Sequence, residues 1–445
     1  MDKPRKNRRR RKVRINYTRL IISIIVLLLI IFILFTGVKA LFKRASSGST
    51  SKDNTAVETD TSEQNKLNPD GQLSPKSKLE DFEFVNNLIL NSHPYYDENV
   101  SKKQIDWKKV TETYKKKITD SQKDQQFIDA ITQFVSQLND EQTHILNYDF
   151  YNYLLTKYNA EKNTQWLKPL NLESVKSRYN VLSTEEIDNL ITEKSSNTAG
   201  SNLILDTPIV GQLAYIKVKS FDERHKANDG KSIMDFLNSI NTYKNLVIDI
   251  TNVKDGLNSY WIDNLVAPLI SSENSVSGRI AKKDDTFKDF LDYAYKNKHR
   301  YITFGDEFPI GELPLELNVQ SYVRDKFKNY KRFDITVEPK DSVGYEGKIF
   351  LLQDKKVYGA ADTFAQFCKS TGFATIMGTT TRGYGMNAEI EPVLVALPNS
   401  GLILRMPTVM GLNYDGTGTA LGGTPPDIEI NKDVIDLKEI IDYIN

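Results

Sequence analysis

Ile349-Phe350-Leu351-Leu352 is an uninterrupted apolar run, and Gly359-Ala360-Ala361-Asp362 opens a helical pattern shortly downstream. An apolar run without alternation marks a strand buried on both faces. A strand that feeds a helix in this way points to an α/β fold. On such a strand–turn–helix a hydrolytic enzyme holds its nucleophile, because the free N–H groups of the helix start stabilise an oxyanion. Here the apex offers Gly359, Ala360 and Ala361, with no Ser, Thr or Cys among them.

The same alternation of strand and helix surrounds this unit. Leu213 to Phe221 alternates as a strand. Ser232 to Asn241 is helical, Asn245 to Ile250 is a second buried strand, and Tyr260-Trp261 leads a helix through Leu269. Phe373 to Met377 is a further strand. Val393–Leu397 and Gly401–Arg405 read as a hairpin turning at Pro398-Asn399-Ser400. We therefore expect an α/β core over 203–445. Before it, Leu79, Phe82, Val85 and Ile89 begin a series of amphipathic helices. They continue from Ile105 to Ile118 and from Phe127 to Leu138, giving a helical subdomain over 79–202. Ser183-Thr-Glu-Glu186 reads as a capping box.

Charge is distributed unevenly. Residues 1–44 hold 13 of the 59 Lys and Arg and one of the 58 acids, which leaves 46 basic against 57 acidic residues in the remainder. The overall charge of +1 thus conceals a basic tail and an acidic body, which excludes nucleic acid as a partner of the body. Leu20 to Val38 is an uncharged run of 19 residues, nearly all Ile, Leu, Val and Phe. At about 1.5 Å per residue it spans the hydrocarbon layer, and it outruns the apolar core of a cleaved signal. Ten Lys and Arg precede the run. The positive-inside rule therefore assigns 1–19 to the cytoplasm, 20–38 to a single transmembrane helix and 39–445 to the outside. Residues 39–78, rich in Ser, Thr, Asp and Lys, form a solvated linker. The single cysteine, Cys368, rules out an intrachain disulfide, and His93, His144, His225 and His299 show no ligand spacing. No metal and no cofactor is expected.

Several further stretches carry a resemblance: His93-Pro94, Ile105-Asp106-Trp107, Leu138 to His144, Tyr215 to Phe221, Leu246 to Trp261, Lys348 to Gly378, Leu397 to Gly401, and Gly423-Thr424-Pro425-Pro426-Asp427. In this order and spacing the chain resembles the S41 peptidases, the tail-specific or carboxy-terminal processing proteases. It looks most like the branch from low-GC Gram-positive bacteria that lacks a PDZ domain. The resemblance covers about 79–445 and implies a ClpP/crotonase-like core. It also implies where catalytic groups would stand, and those places are substituted. The nucleophile position falls on Gly359 and the lysine position of the Ser/Lys branch on Tyr384. The histidine position of the alternative branch falls on Gln142, with His144 two residues off register, and the late glutamate falls on Ala420. The oxyanion loop keeps one glycine, Gly256.

Without a hydroxyl or thiol at the apex no acyl-enzyme forms, and without a base nothing activates one. The expectation is a pseudo-peptidase: a membrane-anchored extracellular module that binds a peptide or protein segment near Gly256, Gly359, Ala360 and Tyr384. Two alternatives stand beside it. One is an active serine-type peptidase with a displaced group, for which His144, Ser220 and Ser259 are the candidates. The other is a structural envelope protein, which predicts a filled cleft. Ligand identity and oligomeric state are not encoded legibly.

Overall fold

The computed structural model describes residues 72–179, 201–254, 256–419 and 422–430, together with Ile440, Ile441 and Tyr443. They all fall in the unit Thr61–Asn445; no residue of the other unit, Met1–Asp60, is described. The basic tail, the 20–38 span, most of the linker, the capping box at 183–186 and Ala420 lie outside the described residues. Among the described residues no helix is long and apolar enough to cross a membrane.

The helical part begins with α1 (Pro75–Ser92), whose Ser74 side chain accepts a hydrogen bond from the Ser77 amide at 3.1 Å while Pro75 takes the first turn. It ends before His93-Pro94, as proline requires. Then follow α2 (Tyr96–Lys102), α3 (Trp107–Thr119) and α4 (Asp124–Ser136). A two-residue strand, β1 (His144–Ile145), comes next, then α5 (Tyr148–Ala160), α6 (Thr164–Leu170) and α7 (Glu173–Tyr179). The buried side chains of α1 and α4, Phe82, Val85, Ile89, Phe127, Ile131 and Phe134, recur at helical spacing.

The rest of the chain runs β2 (Leu203–Ile209), β3 (Leu213–Val218), α8 (Glu223–Ser239), β4 (Asn245–Asp249) and α9 (Asn258–Trp261), which passes into a π turn at Ile262–Val266. Then come β5 (Asn274–Lys282), α10 (Lys288–Lys296), β6 (Ile302–Pro309), α11 (Ser321–Lys326) and β7 (Asn329–Val337). After these are β8 (Lys348–Gln353), α12 (Ala360–Thr371), β9 (Thr375–Gly378), β10 (Val393–Ala396), β11 (Ile403–Met406), β12 (Met410–Leu412) and β13 (Ile428–Glu429). Two expectations are corrected here. Helix α8 starts well before Ser232 because Asp222 caps it, accepting from the Arg224 amide at 2.9 Å. The helix expected through Leu269 is interrupted by the π turn.

The central sheet has the order β13-β9-β8-β4-β3-β2, parallel except at β2. Its strands bury both faces. Leu213, Tyr215, Val247, Phe350 and Leu352 pack on one side with Ile430 and Ile440. Ala214, Ile216, Leu246, Ile248 and Leu351 join the main core on the other. That core also takes Phe82 and Phe134 from the helices, so the helical part and the sheet share one interior. A second sheet, β12-β5-β7-β6, is antiparallel, and a third, β1-β11-β10, pairs His144 with Arg405.

Candidate functional site

Parallel strands gather their chemistry at their carboxyl ends. Beyond the ends of β3, β4, β8 and β9, single bridges extend the sheet: Phe221 to Gly256, Lys254 to Tyr358, and Tyr358 to Gly383. The chain then turns at Gly359, with φ 63° and ψ −122°, a backbone state that glycine enters without a Cβ clash. The Gly359 amide donates to the Gly383 carbonyl at 3.0 Å, and its carbonyl accepts the first helical bond of α12 from Thr363 at 2.9 Å. No side chain caps this helix.

Asp362, fully buried, locks the surrounding loops. Oδ1 accepts from the Thr381 hydroxyl at 2.5 Å and from the Thr424 hydroxyl at 2.9 Å; Oδ2 accepts from the Gly385 amide at 3.0 Å. Burial raises the Asp362 carboxyl above its ordinary range, and these hydrogen bonds work against that rise.

A cleft opens in front of the turn. Its larger lobe has about 630 Å³ and its smaller about 300 Å³; both are lined by Lys157, Gly256, His299, Glu389 and Glu391. Gly359, Ala360, Thr363 and Gln142 line the smaller lobe, and Ser220 lines the larger. Gly256 stands at φ 105°, and a Cβ there would lie 2.6 Å from the Phe221 Cβ, so the loop that survives as Gly256 requires glycine.

Other candidates sit elsewhere. His144 does not join the lining; its Nδ1 lies 3.3 Å from the Glu141 carbonyl, and burial and Arg405 depress its pKa. Ser259 is buried and also outside the lining. Tyr384, expected at the cleft, is buried between Tyr95 and Tyr358, with ring centroids at 5.1 and 5.2 Å. Its backbone stands at φ 63°.

The structure adds residues that sequence reasoning missed. His299 Nε2 lies 3.4 Å from Glu389 Oε2, and its ring stacks on Tyr301 at 5.4 Å. Glu389 also accepts from the Tyr301 hydroxyl and, at 2.6 Å, from the Asn258 amide. Burial raises its pKa. Glu391 accepts from Lys157 at 2.7 Å and from Tyr158 at 2.5 Å. Deeper, buried His93 sets Nε2 at 3.0 Å from Asp140 and 2.7 Å from the Thr143 hydroxyl, while the Tyr95 amide donates to Nδ1 at 3.1 Å. Only His93-Pro94 and Asp140 themselves signalled this pair; their contact is tertiary. Among the described residues no group of three or more His, Cys, Asp or Glu gathers to hold a metal.

The family model described as peptidase family S41 matches residues 212–430. This segment belongs to peptidase family S41. The S41 match takes in the central sheet except β2, the Gly359 turn and most of the cleft wall. Three solved structures are similar at low identity. A candidate peptidase from Parabacteroides merdae is 15% identical over 83% of this chain and 92% of that one, with a TM-score of 0.48. A lipoprotein from Streptococcus agalactiae is 13% identical over 83% and 97%, with a TM-score of 0.44. The photosystem II D1 C-terminal processing protease is 14% identical over 81% and 94%, with a TM-score of 0.43. No curated protein matches.

Proposed function

We propose that this chain is a membrane-anchored extracellular S41-type module that holds a peptide or protein segment in its cleft without cutting it. One observation carries the reading: Gly359 stands at the apex of the helix turn, and Gln142 lines the same lobe. Glycine at the apex and glutamine at the base position supply neither the nucleophile nor the base of acyl transfer, and the groove remains. The open lobe also speaks against a purely structural role, which predicted a filled one. The anchor, through 20–38, follows from the hydropathy and charge of the tail.

The test uses the purified chain in micelles with an unstructured protein substrate and a serine-reactive probe. Saturable binding without turnover or labelling supports the reading; turnover removes it. A hydrolytic alternative is favoured by one observation: Ser220, His299 and Glu389 line one lobe, with the carboxylate behind the imidazole. Turnover abolished by Ser220→Ala and His299→Ala would establish that alternative.

A further inference from the structure

The larger lobe of the cleft carries an excess of negative charge. Glu161, Asp222, Glu223, Glu389 and Glu391 line it, against Lys157, Lys254 and His299. Most of these groups are engaged with one another or with the wall. Lys157 reaches Glu391 at 2.7 Å and Glu161 at 3.9 Å, so one ammonium serves two carboxylates. Asp222 holds the Arg224 guanidinium at 2.7 Å, and Glu389 faces His299 and the Tyr301 hydroxyl. Lys254 is exposed and bonds to none of the five acids.

Two carboxylates are left over. Glu223, exposed on the first turn of α8, has no side-chain hydrogen bond or ion pair among the described residues. Glu161 has only its distant share of Lys157. Burial raises the Glu161 carboxyl above its ordinary range, Lys157 opposes the rise, and the charges of Glu391 and Glu223 add to it. The acids of the lobe therefore act on one another, and a cation among them would relieve that repulsion. A cleft walled by one sign of charge concentrates ligands of the other.

The wall also offers an aromatic face. Tyr153 is 47% exposed, lines both lobes and stacks on Phe150 with ring centroids 5.9 Å apart. Ring faces attract cations. Lysine and arginine lay an apolar stem along such a surface while the charged head reaches beyond it, and about 630 Å³ leaves room for a long side chain with its flanking backbone. The cavity in front of the Gly359 turn makes the site; the charge of its wall sorts what enters.

We propose that the larger lobe selects a peptide segment by a lysine or arginine side chain, with Glu161 and Glu223 taking the charged head and Tyr153 the stem. This rests on the peptide-holding reading above. The probes are capped nonapeptides of alanine and glutamine with lysine, arginine, norleucine or glutamate at the centre. They are titrated by calorimetry into the full chain in an uncharged detergent, at about 0.05 and 0.5 M salt. Both basic peptides are expected to bind roughly fivefold or more tighter than the norleucine peptide, the scale of two half-exposed ion pairs, with the glutamate peptide weakest. High salt is expected to shrink the gap. Glu161→Gln with Glu223→Gln is expected to close it while norleucine binding stays. Glu161→Lys with Glu223→Lys, at two exposed positions, is expected to reverse the order, a gain that misfolding cannot mimic. Saturable binding of all four peptides with equal affinity overturns the basic preference and leaves the peptide-holding reading standing. A preference that persists in both double variants overturns the assignment to Glu161 and Glu223. Absence of binding by every peptide overturns both readings.

Discussion

Asp362 and Thr424 are joined twice, by hydroxyl and by amide, at 2.9 and 3.2 Å on the same carboxylate oxygen. The first turn of α12 is thereby tied to the segment that leads into β13. Asp362→Ala leaves the Gly385 amide and the Thr381 and Thr424 hydroxyls without this acceptor in a dry interior, while the Thr424 amide keeps the Thr381 hydroxyl at 2.6 Å. A loss of about 3 kcal/mol or more is expected in denaturant unfolding.

Glu98 gives a pH signature. Burial pushes its carboxyl up to about 7, opposed by the Tyr322 hydroxyl, which donates to Oε2 at 3.0 Å. Oε1 has no partner. The fold thus holds the proton more tightly than the unfolded chain does. Its contribution is complete below the ordinary value of 4.5, is lost as pH rises toward about 7, and is level above that. Glu98→Gln is expected to flatten this slope and to stabilise the protein at neutral pH by a few kcal/mol, about 3 at most. Unfolding midpoints taken from pH 4 to 8 would check it, and a parallel slope in the variant would refute the assignment.

Gly359→Ser places a side chain on a turn at φ 63° and ψ −122°. Strain of about 1–3 kcal/mol follows, measurable as lowered stability. No hydrolysis is expected from this change alone, because neither Gln142 nor Tyr384 is a base. Probe labelling of the new serine would contradict this.

Gly256→Ala meets both a strained φ and the Phe221 backbone, 2.7 Å from the added Cβ. The loop shifts or the protein loses about 1–3 kcal/mol. Since Gly256 lines both lobes, weaker peptide binding accompanies the loss. Unchanged binding and stability would show the loop to be tolerant.

Much of the frame could be read from the chain. Leu246 to Ile250 and Ile349 to Leu352 are continuous because both faces are buried, and Phe82, Val85 and Ile89 keep the helical period because one face is. The second sheet was not read. In β7 (Asn329–Val337), the buried Tyr330, Phe333, Ile335 and Val337 are interleaved with Lys331, Arg332 and Asp334, and its partners β5 and β6 are set by long-range pairing. His299 and Glu389 escaped for the same reason: nothing local links a half-exposed imidazole to a carboxylate far along the chain. Tyr384 was placed by position alone, and the ring stack that removes it from the cleft is purely tertiary.

That stack bears on which side chains position 384 can accept. Tyr384→Lys would set an ammonium between Tyr95 and Tyr358, at a residue with only 8% exposure and with no carboxylate bonded to it. Tyr95 is itself held by the Gly411 amide, which donates to its hydroxyl at 3.1 Å. A lysine placed there therefore meets packing first. The three rings act as a ratchet: each makes the next less free to change, and seating an amine among them requires their concerted replacement.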